Sequence, residues 1–191
     1  MDGAAKVAYR TYRFTVSDFL RMDEAGVFAR EARVELIEGE IVEMAPIGSL
    51  HAATVAFLHR RLVEGLGRRA VIWGQSPVVL DEFSAPQPDI AVLVPRSDHY
   101  RNSHPRPADI LLMIEVADTT LAFDRDKKAP LYARSGIAEL WIVDVERSAV
   151  HVFRDPQGER YASEQVVVAP PQMGIAAFPD LVVDLSGFFP Q

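Results

Sequence analysis

DILLMIEVA, residues 109–117, decides the fold. Its apolar residues run together instead of alternating with polar ones, the pattern of a central strand covered on both faces. Reading outward, DRDKKAPLYARSG (124–136) has Asp124 or Asp126 as a helix cap and Gly136 as its stop. Lys128, Leu131, Tyr132 and Ser135 share one face of that helix, and Pro130 is tolerable only near its first turn. ELWIVDV (139–145), AVHVFRD (149–155) and RYASEQVVVA (160–169) are successive strands, with a hairpin turn over Asp155 to Gly158. FPDLVVDLSGFF (178–189) adds a last short apolar element.

Upstream, PDIAVLV (88–94) is a strand that tolerates Pro88 because the proline begins it. AVIWG (70–74) and SPVVLDEF (76–83) are two more expected strands, and PRSDHYRNSHPRP (95–107) is a polar surface loop. Ser49 caps a helix with His51, Val55, Leu58 and Leu62 on one face, ended by Gly65 and Gly67. RVELIEGEIVEM (33–44) is an antiparallel hairpin turning near Glu38 and Gly39, and TVSDFLRMDEAG (15–26) is a short helix with Ser17 at its N-cap. Helices and strands in this order predict an α/β fold with helices on both faces of one mixed sheet. With 191 residues and no linker or repeat, the chain reads as one domain over 1–191, with a core of about 15–185.

The composition, 49% hydrophobic and 25% charged, is globular, and no run approaches the roughly 18 apolar residues of a membrane span. The first twenty residues contain Lys6, Arg10 and Arg13 but no continuous apolar stretch, so a secretory signal is not expected. The absence of cysteine excludes disulfides and thiolate metal sites, and the expected location is cytoplasmic. A net charge of −7 argues against a protein that coats nucleic acid, although a local basic groove can coexist with an acidic total.

Two carboxylates lie inside strands. Asp89 follows Pro88, and Glu115 interrupts LLMIEV, where an unpaired buried charge costs several kcal/mol. Each taken alone is accounted for by a strand end or an arginine partner. A shared divalent cation would compensate both, because Mg²⁺ prefers carboxylate oxygens and keeps water and phosphate in its other positions. Lys128 lies on the apolar face of the next helix; such a lysine can snorkel, or it can stabilise charge in phosphoryl chemistry. His99 and His104 lack the partners of a zinc site, and no GxGxxG, GxxxxGK or GxSxG motif is present.

The blocks ELIEGEIVEM, PIGSLH, PQPDIAVL and IEVADTTLAFDRDKKAPLYARSGIAELWIVD, in this order and spacing, resemble the Uma-type restriction endonucleases, a branch of the PD-(D/E)xK superfamily. The resemblance spans roughly residues 15 to 185. It implies a restriction-endonuclease-like fold, with a central mixed sheet flanked by helices, and a Mg²⁺-dependent cut of a nucleic acid, DNA in the first instance, with Mn²⁺ as a substitute cation. It places the metal on Asp89 and Glu115 and implies supporting roles for Glu35, through water at the metal, and for His51, near the scissile phosphate. For Glu35 a solvent-facing strand position stands equally, and for His51 a packed helix start. The superfamily lysine two residues after the glutamate is Ala117 here, so the resemblance assigns that role to Lys128 of the following helix. Asp124 matches the aspartate before that lysine and reads better as an N-cap.

Arg96, Arg101 and Arg106 are candidates to touch a phosphate backbone. A homodimer is the default expectation for a soluble homo-oligomer, and the chain is not expected to meet a membrane. The rival reading is a catalytically inactive binding or regulatory module on the nuclease fold, which the acidic charge and the displaced lysine favour; a non-nuclease metal hydrolase comes third.

Overall fold

A computed structural model describes residues 10–189. The 109–117 run forms β5 (Ile110–Ala117) at the centre of a six-stranded sheet, and its residues are almost all buried. The sheet order is β3 (Val71–Gly74), β4 (Ile90–Leu93), β5, β6 (Glu139–Asp144), β7 (Ala149–Gln157) and β8 (Arg160–Val168). Neighbours are antiparallel except β5 and β6, which run parallel and therefore need a crossover. That crossover is the helical stretch from Leu121 to Arg134, and it carries the lysine.

Each face of the sheet has its own cover. Leu112, Ile114 and Val116 of β5 face α2 (Ser49–Leu66) through Leu58, Leu62 and Leu66. The same layer is completed by a hairpin of β9 (Gln172–Ile175) and β10 (Phe178–Asp184). Met113 and Ala117 face the opposite way, toward the crossover helix through Leu131 and Tyr132. A third cluster joins α1 (Val16–Glu24) to the hairpin β1 (Val34–Ile37) and β2 (Glu40–Glu43). The period-two alternation of β5 thus divides the molecule into two layers, and it sends Glu115 to the crossover side with Met113 and Ala117.

The crossover helix differs from the sequence reading in a way that matters for the site. It begins at Leu121 as α3 (Leu121–Phe123), widens into a π-helical turn (Asp124–Lys128), and continues as α4 (Ala129–Arg134). Asp124 is therefore inside the helix and caps nothing. Pro130 is tolerated by different means than expected: the Ala129 N–H reaches back to the Asp124 carbonyl across the wider turn, so the proline follows a ladder that has already changed register.

Other differences are local. SPVVLDEF forms no strand; Val78, Val79 and Leu80 are buried in an irregular segment whose amides bond Pro86, Pro105 and Ser84. Pro77 cannot donate to a ladder, which helps explain why a β-rich run stays irregular. Thr15, not Ser17, caps α1, in a reciprocal box with Asp18, and Gly48, not Ser49, precedes α2. The turn between β7 and β8 lies at Gly158 and Glu159, and the tail forms β10 against a partner, β9, that the sequence did not suggest. Lys6, like the rest of residues 1–9, lies outside the described residues, and no helix among those described is long and apolar enough to cross a membrane.

Leu62 is fully buried where α2 meets the sheet. Leu62→Ala is expected to lower stability by about 2–5 kcal/mol in urea unfolding while leaving the far face of the sheet unchanged. A loss near zero would mean that α2 does not pack as described.

Candidate active site

Asp89 and Glu115 are brought together by strand pairing. Ile90 of β4 lies opposite Ile114 of β5, and Asp89, expected inside the strand, immediately precedes β4, next to the β5 segment that carries Glu115. The Val116 N–H donates to Asp89 Oδ2 at 2.9 Å, tying the carboxylate to the β5 backbone beside Glu115. His51, in the first turn of α2, donates Nε2–H to the same oxygen at 3.0 Å, and Gln75 Nε2 donates to Oδ1 at 3.3 Å.

Lys128 does not snorkel. Its ammonium lies 3.2 Å from Glu115 Oε1 and 3.1 Å from Glu35 Oε2, and the side chain is as buried as its partners. Tyr132, one helical turn further on, donates its hydroxyl to Glu115 Oε1 at 2.5 Å. Glu35 also accepts the Gln87 N–H at 3.0 Å, and Asp124 accepts the Thr120 hydroxyl at 2.7 Å. Exposures of 1% for Glu35, 5% for Asp89, 3% for Glu115, 4% for Asp124 and 3% for Lys128 exclude a solvent-facing reading for any of them.

These residues line one cavity of about 280 Å³ at the end of the sheet, together with His51, Arg33, Glu43, Asp118 and the loop after β2. All five residues singled out from the sequence, Glu35, Asp89, Glu115, Lys128 and His51, meet there. Tyr132, Gln75, Gln87 and Asp124 contribute in ways the sequence reading missed. Tyr132 was visible as a face-mate of Lys128, but nothing in the pattern distinguished a phenol bonded to Glu115 from a packing aromatic. Arg96, Arg101 and Arg106 are elsewhere. β4 leads away from Asp89 and β5 returns toward Glu115, so their loop joins the opposite strand ends, about 17 Å along β5 at the usual rise per residue. Arg96 is further spent on Asp98 and on the ring of Tyr100.

The charges are unequal. Six carboxylates line the cavity, and Lys128 serves three of them. Burial disfavours its ammonium, but Glu115, Glu35 and Asp124 outweigh that and hold its pKa above the ordinary value. Burial is also the largest influence on Glu115, whose carboxyl is pushed up to about 8, with Lys128 only partly opposing and the neighbouring acids adding to the rise. Asp124 is raised for the same leading reason. Asp89 goes the other way: despite burial, the His51 contact and the Val116 and Gln75 donors hold it below its usual range.

A hard divalent cation fits this set. The donors are carboxylate oxygens, six carboxylates line the cavity, and burial, with the neighbouring acids adding to it, pushes the Glu115 carboxyl up to about 8. Among the described residues no three acidic or histidine side chains form a preassembled cage; Asp89 and Glu115 are the residues that would hold the cation, and Mg²⁺ commonly takes one or two carboxylates with water and phosphate.

Mixed sheet, flanking helices and an acid–lysine cluster at the strand ends define the class: a restriction-endonuclease-like α/β fold. The chain belongs to the Uma2 family, described as "Putative restriction endonuclease", whose model matches residues 16–186. It is also similar in fold to a crystal structure of a "putative nuclease belonging to DUF820" from Anabaena variabilis, at 18% identity and a TM-score of 0.65, covering 87% of this chain and 92% of that one. No functionally curated protein matches it.

Glu115 predicts a pH dependence. Its ordinary pKa is 4.5 and its folded value about 8, so the folded chain holds this proton more tightly. The associated stability is complete below pH 4.5 and is lost as pH rises through about 8. Asp124 has the same sign; Asp89 and Lys128, shifted toward their charged forms, contribute steadily across this window. In chelator, the melting temperature should fall between pH 5 and 8.5, and Glu115→Gln should flatten the fall. An equally steep fall in that variant would contradict the assignment.

Proposed function

We propose that the protein is a Mg²⁺-dependent endonuclease that hydrolyses phosphodiester bonds, with DNA as the first candidate substrate. The observation that supports this is the convergence of Asp89, Glu115, Glu35 and Lys128 on one cavity, in a chain whose family is described as "Putative restriction endonuclease". Asp89 and Glu115 are the residues that would hold the cation, with Glu35 assisting. When bound, the cation polarises the phosphodiester and makes water a better nucleophile at neutral pH.

The chain's own groups do the rest. Asp89 is kept ionised and fixed in place by the Val116 amide and His51, so its geometry is set before any ligand arrives. Tyr132 and Lys128 both hold Glu115 Oε1, while Oε2 has no hydrogen-bond partner among the described residues. Lys128 keeps a positive charge in a water-poor site, where it can orient a nucleophilic water or stabilise charge developing on phosphoryl oxygens. His51 is positioned through Asp89 and lines the cavity, within reach of a group bound there.

Supercoiled plasmid, linear duplex and single strands incubated with the protein in Mg²⁺ or Mn²⁺ test this reading. Cutting is expected in at least one of them, abolished by chelator, by Asp89→Ala and by Glu115→Ala. Lys128→Gln should reduce the rate by about 10²–10³-fold, the scale of removing one preorganised charge-stabilising group. No cutting of any substrate, or equal cutting by the alanine variants, refutes an enzyme and leaves a binding module on the nuclease fold.

A further inference from the structure

Two cationic side chains line the cavity, and they are in opposite situations. Lys128 is deep in the cluster and ion-paired with Glu35 and Glu115. Arg33 makes no ion pair among the described residues; its one hydrogen bond there is from Nη1 to the Ala45 carbonyl at 3.4 Å. A guanidinium carries five N–H donors, so most of them remain for a ligand.

Its position is fixed by the hairpin. The Met44 N–H donates to the Arg33 carbonyl, which extends the β1–β2 ladder one step beyond Val34 and Glu43. Strand alternation then sets Arg33 two residues before Glu35 on the same side, and both line the cavity, Glu35 fully buried and Arg33 only half-buried. Arg33 is half-buried and so is accessible from outside. An unpaired arginine among six carboxylates gains nothing from avoiding them, since any of them within reach would pair with it. Its separate anchoring on a backbone carbonyl keeps it free for an anion entering from solvent.

Resting on the nuclease reading above, we infer that Arg33 binds a backbone phosphate of the substrate and fixes the chain's approach to the acidic cluster. The fork of N–H groups suits two non-bridging oxygens of one phosphate, a geometry lysine cannot reproduce. The contact also explains how an acidic protein could hold a polyanion: one half-buried cation without an ion pair among the described residues lines the cavity, and Glu35, Asp89, Glu115 and Asp124 are buried more deeply. The loop arginines expected for this task lie at the other end of the sheet.

The test measures binding of a fluorescein-labelled DNA oligonucleotide, single-stranded and as a duplex, with Ca²⁺ in place of Mg²⁺, across a range of salt concentrations. Arg33→Gln should weaken binding about ten- to a hundredfold, the loss of one charge-assisted contact. It should also lower the slope of log K against log salt by about 1, the signature of one phosphate contact removed. Arg33→Lys should keep the slope and recover only part of the affinity, while Arg101→Gln should match the wild type. Melting temperatures close to that of the wild type show that the variants are folded. Unchanged affinity and slope in Arg33→Gln, with a wild type that binds and cuts, would overturn the inference alone. A wild type that neither binds nor cuts would refute the nuclease reading and this inference with it.

Discussion

The Lys128 ammonium, held between Glu35 and Glu115 and facing Asp124, is the constraint around which the site is organised. It joins three parts of the chain that are distant in sequence: the β1 hairpin, the central strand β5 and the crossover helix. Removing one member of such a buried set typically costs about 3–5 kcal/mol, because the remaining charges keep their desolvation penalty without a partner. The cluster therefore couples the fold to the site. The π turn is the local means by which this is done, placing Asp124 and Lys128 on the inner side ahead of Tyr132.

Much of this was legible in the sequence, for physical reasons that differ between residues. The uninterrupted apolar run of β5 reads as a covered strand, and the carboxylate within it needs compensation; that made Glu115 a candidate, and the four-block family resemblance singled it out. Asp89 was a candidate as the acid after Pro88, the resemblance singled it out, and the Val116 amide fixes it beside Glu115. Lys128 was visible through its helical spacing with Leu131 and Tyr132. The β9–β10 hairpin was not legible, because its strand residues alternate weakly and gain their identity from packing on α2. The π turn was not legible either: a local pattern cannot show that one extra residue is absorbed before Pro130. The chemistry of Asp124 was misjudged for that reason, since an aspartate before a helix and an aspartate within one look alike until the helix start is known.

The same structure reconciles an acidic chain with a phosphodiester substrate. Its net charge of −7 is concentrated, in part, where a divalent cation would be held, and among the described residues Arg33 is the cavity-lining cation that makes no ion pair. Electrostatic attraction of substrate would then depend on the loaded cation as well as on the protein, so the apo protein should be a poor ligand for nucleic acid and the loaded one a better ligand. Hydrogen bonds hold Asp89 low while burial raises Glu115, giving two carboxylates of different character that a single cation would make alike.

The central claim is that this cluster is a divalent-cation site, and calorimetric titration of Mn²⁺ into the chelator-stripped protein near neutral pH examines it without reference to any substrate. The account predicts saturable binding accompanied by release of a proton from Glu115, lost in Asp89→Asn and in Glu115→Gln. Absence of binding, or binding that survives both substitutions, would contradict it.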